Sequence, residues 1–469
     1  MVGTLDWIIV IAYMVLMVLI GFYSKTKMST YEDHILAGRN VPWYYLAPCL
    51  LTTQIGAGSL MGYAGQCFDL GISGAWWVYS NIIVFLAMGL LGAKKFRRAV
   101  SAKTLPELFE IRYDKKSANM VAICTCLTEL AYTAGQIVGG GLLLSVVMGW
   151  DLGASTLVFA AVVMIYSAVG GMWAVFLTDF VQMVVMYVGL GALVILGVKL
   201  AGGMSGLKAA VPASYFNLKG DNTIGGIIAS ILYAIPAIFC SFDIVQKVMA
   251  AKTPKDAKTG SLVASGLVIP FAIMVPLIGM LGYVILGDSL SNHEMVTCSL
   301  IAEILPTGLK GLAVAAVLST LMSSCDACLI ATSSVFVNDI VPMCRGKNAE
   351  HKEMSLKTTI LVTAAIGVLS YIIGNFLPSA MTLMEYAWTL LACGAFIPLM
   401  ACLFWKKSSA AGCWWSLIIG AAVGLGWTLA GNPFGLKAVI PSYIVGIIAM
   451  VAGSLVKPDA VNKAEAIYE

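Results

Sequence analysis

Charged residues are scarce in this chain. They make up 11% of its 469 residues, whereas soluble globular domains carry about 25%. Apolar residues make up 60% of the chain, and 28 Lys and Arg against 24 Asp and Glu leave a net charge of only +4. No stretch has the composition of a soluble domain. The shortage of charge excludes a soluble globular protein and predicts a polytopic membrane protein.

The sequence also lacks the motifs of several function classes. It has no basic stripe and no arginine-rich tail, which excludes nucleic acid as a partner. It has no HExxH, P-loop or GxSxG arrangement, and its three histidines, His34, His293 and His351, all lie in predicted loops. The CxxC of Cys325 and Cys328 lies in an apolar helix without a second pair of ligands, so no metal site is predicted there. We therefore expect no enzymatic activity.

Long apolar runs dominate the chain. A helix needs about 20 apolar residues to cross a bilayer, and by this length the chain contains about thirteen candidate spans. They cover residues 5–24, 42–68, 73–96, 117–148, 152–170, 172–200, 223–247, 259–287, 308–340, 356–376, 379–405, 410–430 and 437–457. We predict an all-α membrane protein in which residues 1–469 form a single transmembrane domain.

Lysine and arginine are unevenly distributed between the predicted loops. With the N-terminus outside, all but five of the 28 basic residues fall on the inner side. The outer five are Lys199, Lys208, Lys219, Lys310 and Lys437, and the inner runs lie within 25–39, 94–116, 247–258, 345–357, 406–407 and 457–463. This pattern follows the positive-inside rule. We expect a plasma-membrane protein with a cytoplasmic C-terminus, and the short loops favour a bacterial source.

Two spans contain helix-breaking residues at comparable depth. The second span has Gly56, Gly58 and Gly62 near its middle, and the seventh has Pro236. An odd number of spans separates the starts of the two units, which gives them opposite topologies. Interrupted helices at matching positions of inverted repeats indicate the central binding site of a transporter, although glycine and proline also occur in ordinary transmembrane helices.

Polar side chains cluster in two of the later spans. Ser319, Thr320, Ser323 and Ser324 fall within two turns of an apolar helix, where hydroxyls either bond back to their own helix or bind an ion. Thr178, Asp179 and Gln182 share one face of another span, which suits either a helix-packing network or a carboxylate beside an ion site. A dehydrated Na⁺ prefers such hydroxyl and carbonyl oxygens.

Three segments resemble those of the sodium:solute symporter family. They are the GG-x-x-AV-x-x-TD-x-x-Q string from Gly170 to Gln182, the segment TQIGAGSLMGYAGQ and the segment LFWKKSSAAG. The resemblance covers nearly the whole length and implies the LeuT-like fold. This fold would consist of inverted five-helix repeats at 42–200 and 223–405, a peripheral helix at 5–24 and peripheral helices at 410–457. The implied function is Na⁺-coupled import of a small polar organic solute by alternating access.

The resemblance also implies binding residues. The sodium ligands fall on the carbonyls of Thr52 and Ile55 and on Ala316, Ser319 and Thr320, with Asp179 nearby. The substrate pocket falls on Gln54, Gly56, Gly58, Ser59, Trp76, Trp77, Glu129, Tyr132 and Gln136, with Trp388 and Glu385 as outer candidates. A second ion site would use Ser323 and Asp326, but Met322 is a poor sodium ligand at a position where some relatives have oxygen. We therefore expect one Na⁺ per cycle.

Several alternatives remain open at this stage. A proton-coupled symporter could titrate Asp179, Asp326 or Glu129, and a non-transporting solute receptor could keep the same fold. Trp76 and Trp77 could belong to an interfacial aromatic belt. Glu129 could pair with a cationic solute group or act in packing or gating, and Asp243 is expected at the inner membrane interface. We expect the lipid bilayer and a small-molecule solute as partners, and a functional monomer.

Overall fold

The computed structural model describes residues 3–56, 58–220, 222, 224–290, 292–345, 355–376 and 380–459. In this part of the chain the regular structure is helical, and the one β-type pairing is an isolated bridge between Val41 and Ala251. His351, Lys463 and residues 346–354 of the basic run 345–357 lie outside the described residues. The expectation of an all-α membrane protein is confirmed.

The first half of the described chain contains ten α-helices. They are α1 (Thr4–Lys25), α2 (Tyr31–Leu36), α3 (Trp43–Gln54), α4 (Tyr63–Leu70), α5 (Trp76–Ala87), α6 (Ala93–Arg98), α7 (Leu105–Arg112), α8 (Lys115–Met148), α9 (Leu152–Leu200) and α10 (Gly203–Ala210). Gly58–Gly62, before α4, and Met88–Gly92, between α5 and α6, form π-helical turns. Such wider turns are frequent at functional sites.

The second half of the described chain contains ten more α-helices. They are α11 (Ile224–Phe239), α12 (Phe242–Met249), α13 (Pro254–Ile285), α14 (Val296–Ile304), α15 (Leu309–Val335), α16 (Val341–Arg345), α17 (Leu356–Phe376), α18 (Ala380–Phe404), α19 (Ala410–Leu429) and α20 (Val439–Val456). Helices α11 and α12 meet at a 50° bend. The bend follows Pro236, whose ring removes a backbone donor from the helix.

The count of about thirteen spans is not confirmed. Within the described residues, ten helices are long and apolar enough to cross a membrane, or eleven if α11 and α12 form one span. One reason is that this count takes Leu152–Leu200 as a single helix, although the helix is kinked at residue 171, the predicted boundary between two spans. Gly171 interrupts it with φ 53° and ψ −152°, a conformation that is open essentially to glycine alone.

Helix α15 lies at the centre of the molecule. Every residue from 313 to 335 is buried, and α15 packs against α1, α3, α8 and α9. Long apolar side chains such as Ile195 and Leu361 remain exposed on outer helices, as expected for surfaces that face lipid. The hydroxyl-rich helix singled out in the sequence is therefore the one most completely removed from the bilayer.

Candidate functional site

The end of α3 meets the middle of α15. Helix α3 stops because Ile55 leaves the helical conformation, with φ −101° and ψ 82°. The last carbonyls of a helix have no partner within it, and here α15 supplies partners. Ser323 Oγ donates to the Thr52 carbonyl and Ser324 Oγ donates to the Thr53 carbonyl, both at 2.8 Å. A helix end and a row of buried hydroxyls thus face each other.

All six residues of the expected sodium site are buried: Thr52, Ile55, Asp179, Ala316, Ser319 and Thr320. Their side chains do not all converge. Ser319 Oγ lies 2.9 Å from the Tyr13 hydroxyl of α1 and 2.8 Å from the Ala315 carbonyl. Thr320 Oγ1 donates to the Val317 carbonyl of its own helix at 2.8 Å. In this structure the direct side-chain bonds to α3 come from the two serines that follow, Ser323 and Ser324.

Two buried carboxylates lie in this region. Asp179 Oδ2 accepts from the Cys49 thiol at 2.7 Å, and Asp326 Oδ2 accepts from the Tyr166 hydroxyl at 2.7 Å. The other oxygen of each, Oδ1, accepts no hydrogen bond from the described residues. Buried oxygens without donors are costly unless a cation or a water satisfies them. Together with the carbonyls and hydroxyls they form a hard-oxygen environment that suits Na⁺.

Lys247, which the sequence assigns to the inner basic run 247–258, is a buried residue of this region. Its side chain is fully buried on α12, and Nζ lies 3.2 Å from Asp179 Oδ2. Nζ also donates to the Thr53 hydroxyl of α3. A lysine at the end of an apolar span is ordinarily interpreted as a side chain that extends to the interface. The one local signal for a buried position was that the predicted span 223–247 already included it.

A cavity of about 280 Å³ opens beside the break in α3. It is lined by Thr53, Gln54, Gly56, Gly58, Ser59, Tyr63, Trp77, Tyr132, Gly135, Gln136, Tyr233, Ala237, Ser241, Asp243, Ser324, Cys328, Glu385 and Trp388. Most residues of the expected substrate pocket are present, and so are both outer candidates. Tyr63 and Trp77 stack with an interplanar angle of 4°, which forms a flat apolar wall.

Trp76 and Glu129 are not among the residues that line this cavity. Trp76 Nε1 donates to the Leu218 carbonyl at 2.8 Å, which is consistent with the interfacial alternative. Glu129 Oε1 accepts from the backbone amides of Phe242 and Asp243 at 2.9 and 3.3 Å. Because these amides begin α12, Glu129 acts as its N-terminal cap.

The interfacial position expected for Asp243 is wrong, because the structure buries it in the wall of the cavity. Asp243 also forms a compact group with Glu129 and Cys328, whose ligand-type atoms all lie within 4.8 Å of one another. The other cysteine of the CxxC, Cys325, points elsewhere and donates to the Thr133 carbonyl at 3.8 Å. Tertiary packing therefore separates the two thiols and gives one of them acidic neighbours.

A smaller hollow of about 200 Å³ shares Tyr233 and Glu385 with the central cavity. Lys437, just before α20, lines it, and its Nζ lies 5.0 Å from the centroid of the Tyr233 ring. The hollow thus offers a second polar chamber next to the aromatic cavity.

Comparison with known proteins supports the interpretation as a transporter. The chain is 27% identical to the osmoregulated proline transporter OpuE of Bacillus subtilis, over 97% of this chain and 95% of that protein. It is 27% identical to the sodium/pantothenate symporter of Haemophilus influenzae, over 95% and 94%. It is 26% identical to a sodium/glucose cotransporter of Vibrio parahaemolyticus, over 87% and 82%.

A solved structure shares the fold. A Na⁺-coupled sialic acid symporter in a substrate-bound outward-open state superposes with a TM-score of 0.86, at 19% identity and over 98% of this chain and 99% of that one. The sequence model of the sodium:solute symporter family matches residues 34–420. The family match thus includes both broken helices, the central cavity and α15. The chain therefore belongs to the sodium:solute symporter family and is a Na⁺-coupled solute symporter with the LeuT-like fold.

Proposed function

We propose that the chain imports a small polar organic solute together with one Na⁺, and that the cavity beside the break in α3 is the solute site. One observation carries this proposal. The end of α3, whose last carbonyls face the hydroxyls of Ser323 and Ser324 on α15, also forms part of the cavity wall. An ion that joins α3 to α15 would therefore shape the solute site directly.

The proposed sodium ligands are the carbonyls of Thr52 and Ile55 and the groups of Ala316, Ser319 and Thr320 on α15, with Asp179 behind them. Their complete burial supports this assignment, since a cation there would be removed from bulk water. The hydroxyls of Ser319 and Thr320 can rotate from their present carbonyl partners towards an ion.

The possible second ion site, at Ser323 and Asp326, offers fewer ligands to a cation than the first site. Ser323 already donates to the Thr52 carbonyl, and Asp326 already accepts from Tyr166. Ser323 Oγ and one oxygen of Asp326 thus have protein partners, and Met322 offers no oxygen beside them. This arrangement supports one Na⁺ per cycle.

Alternating access follows from these contacts. Sodium would hold α3 against α15 and stabilise the outward-open state, and solute would then favour closure of the outer side. When the chain opens inward, α3 and α15 separate, the sodium ligands move apart and both cargoes leave. Coupling is reciprocal, so a solute that binds tighter with Na⁺ tightens Na⁺ binding by the same factor. The membrane potential adds about 2.3 kcal/mol per charge per 100 mV to inward movement.

The cavity indicates what kind of solute fits. Its walls combine the aromatic faces of Trp77, Tyr132 and Trp388 with the amide groups of Gln54 and Gln136. A volume of about 280 Å³ lies at the lower limit of ordinary ligand pockets. A small solute with both polar and apolar surface matches this wall, and the relatives named above are transporters of proline, pantothenate and glucose.

The membrane arrangement is proposed on the same basis. The break after α3 and the bend between α11 and α12 occupy corresponding places in the proposed inverted repeats, 42–200 and 223–405. The distribution of lysine and arginine favours an outside N-terminus and a cytoplasmic C-terminus in a bacterial plasma membrane. We also propose that the monomer is functional.

The proposal is tested by the thermal stability of the detergent-purified protein in NaCl and in KCl at equal ionic strength. Sodium at 100 times its Kd stabilises a folded state by about 2.7 kcal/mol. The double variant Ser319→Ala with Thr320→Ala should lose this response. Ser333→Ala with Thr332→Ala is the matched control, because both hydroxyls are buried on α15 and bond only to their own helix. Equal behaviour of Na⁺ and K⁺ would refute the sodium assignment, and uptake that depended on pH alone would favour proton coupling.

A further inference from the structure

Lys247 joins three helices at one point inside the protein. It is on α12, its Nζ is 3.2 Å from Asp179 Oδ2 on α9, and it also donates to the Thr53 hydroxyl in the last turn of α3. Both side chains of the ion pair are fully buried. Thr53 is adjacent to Thr52, whose carbonyl is a proposed sodium ligand. A fixed positive charge therefore lies one residue away from the proposed ion site.

Asp179 requires a cation in this position. An ionised carboxylate that is fully buried is strongly unfavourable unless an opposite charge pairs with it. The Cys49 thiol donates to the same oxygen at 2.7 Å, but a thiol is a weak donor and carries no charge. Lys247 is the one cation that contacts Asp179 among the described residues. The lysine ammonium therefore supplies the charge that this carboxylate needs.

We propose that the Lys247 ammonium takes the place of a second sodium ion beside Asp179, and so fixes the stoichiometry at one Na⁺. This inference rests on the proposed function, since it assumes that Na⁺ binds at the end of α3. An ammonium and a sodium ion both carry one positive charge, and both bind carboxylate and hydroxyl oxygens. Asp179 and Thr53 offer those two groups, and the other carboxylate oxygen of Asp179, Oδ1, has no donor among the described residues. Without the lysine, the same oxygens form a cation site.

This proposal differs from a purely structural ion pair in what it requires. A structural pair only holds α12 against α9, so its removal would lower stability without changing how many ions bind. If Lys247 replaces an ion, its removal must create a site. Removal of Asp179 instead must leave a buried ammonium that repels the remaining Na⁺. Removal of both charges must cancel that repulsion.

The test is equilibrium binding of radioactive Na⁺ to the purified full-length protein, which gives the number of ions per chain and their Kd. The variants are Lys247→Met, which keeps an unbranched side chain of similar length, and Lys247→Arg, which keeps the charge. Asp179→Asn and the double variant Lys247→Met with Asp179→Asn complete the cycle. Competition with K⁺ shows that each site selects sodium.

We expect one ion for the wild type and for Lys247→Arg, and two for Lys247→Met. Asp179→Asn should raise the Kd for Na⁺ by about tenfold or more, and the double variant should recover most of that loss. One ion in Lys247→Met overturns the inference. If that variant fails to fold, equally weak binding by Asp179→Asn and the double variant overturns it. Absence of Na⁺ binding in the wild type would instead refute the proposed function itself.

Discussion

Asp6 caps the central helix from a different helix. Its side chain is fully buried near the start of α1, and Oδ1 accepts from the amides of Gly308 and Gly311 at 2.7 Å each. These two amides open α15, whose first-turn donors have no partner within the helix. Because the Asp6 side chain and its bond from the Gly311 amide are buried, water cannot readily replace Asp6. We predict that Asp6→Ala strongly destabilises the protein.

The magnitude follows from these contacts. Each buried amide that loses its acceptor costs about 1–3 kcal/mol, and a negative charge at a helix N-terminus contributes about 0.3–2 kcal/mol. Asp6→Ala should therefore lower the free energy of unfolding by about 2–8 kcal/mol. Asp6→Asn keeps an acceptor oxygen and loses the charge, so it should cost about 1–2 kcal/mol.

The assay is unfolding by sodium dodecyl sulfate in mixed micelles, followed by tryptophan fluorescence. Asp151 provides the matched control, because it caps α9 through a bond from the Ala154 amide at 3.1 Å but is exposed. Asp151→Ala should cost about 1 kcal/mol, the usual value for a solvated cap. If Asp6→Ala costs no more than Asp151→Ala, burial does not strengthen the Asp6 cap and the reasoning is refuted.

Two further predictions concern packing away from the cavity. Arg112 is buried and donates to the carbonyls of Lys406 and Ser408 at 3.0 and 2.8 Å. Arg112→Met should therefore lower the free energy of unfolding by about 2–5 kcal/mol in the same assay. It should also speed proteolysis around residue 406, and an unchanged rate would contradict this role of Arg112. A Cβ at Gly171 would lie 2.8 Å from the His34 carbonyl, so Gly171→Ala should cost at least about 1–3 kcal/mol in strain. Gly191→Ala on the same helix meets nothing within 4 Å and should be neutral or slightly stabilising, and equal effects of the two alanines would refute the assignment of strain.

The breaks in the helices were predictable because their causes are local. The glycines after Gln54 and the proline at 236 act on their own backbone, and the structure interrupts both helices near these residues. The hydroxyls of α15 were visible as a cluster for the same reason. Most residues of the cavity wall could be predicted from the family resemblance, since the matching segment TQIGAGSLMGYAGQ lies at the first break.

Other residues were misplaced because their positions depend on distant partners. Asp243 and Lys247 lie near the end of a predicted span, where hydropathy favours the interface. The structure buries both, and Lys247 pairs with Asp179, which lies 68 positions earlier in the sequence on another helix. No local pattern reports such a partner. The boundary predicted between spans 152–170 and 172–200, by contrast, coincides with the kink at Gly171.

By itself, the sequence determined that this protein lies in a membrane, is helical, breaks two helices near its centre and carries a row of hydroxyls between them. Those properties follow from composition and from residues that act on their own backbone. Tertiary structure alone decided which buried charges are paired, which acids reach the cavity and which hydroxyls meet the broken helix. The physical reason is that a buried charge is tolerated only with a partner, and folding brings that partner from another part of the chain.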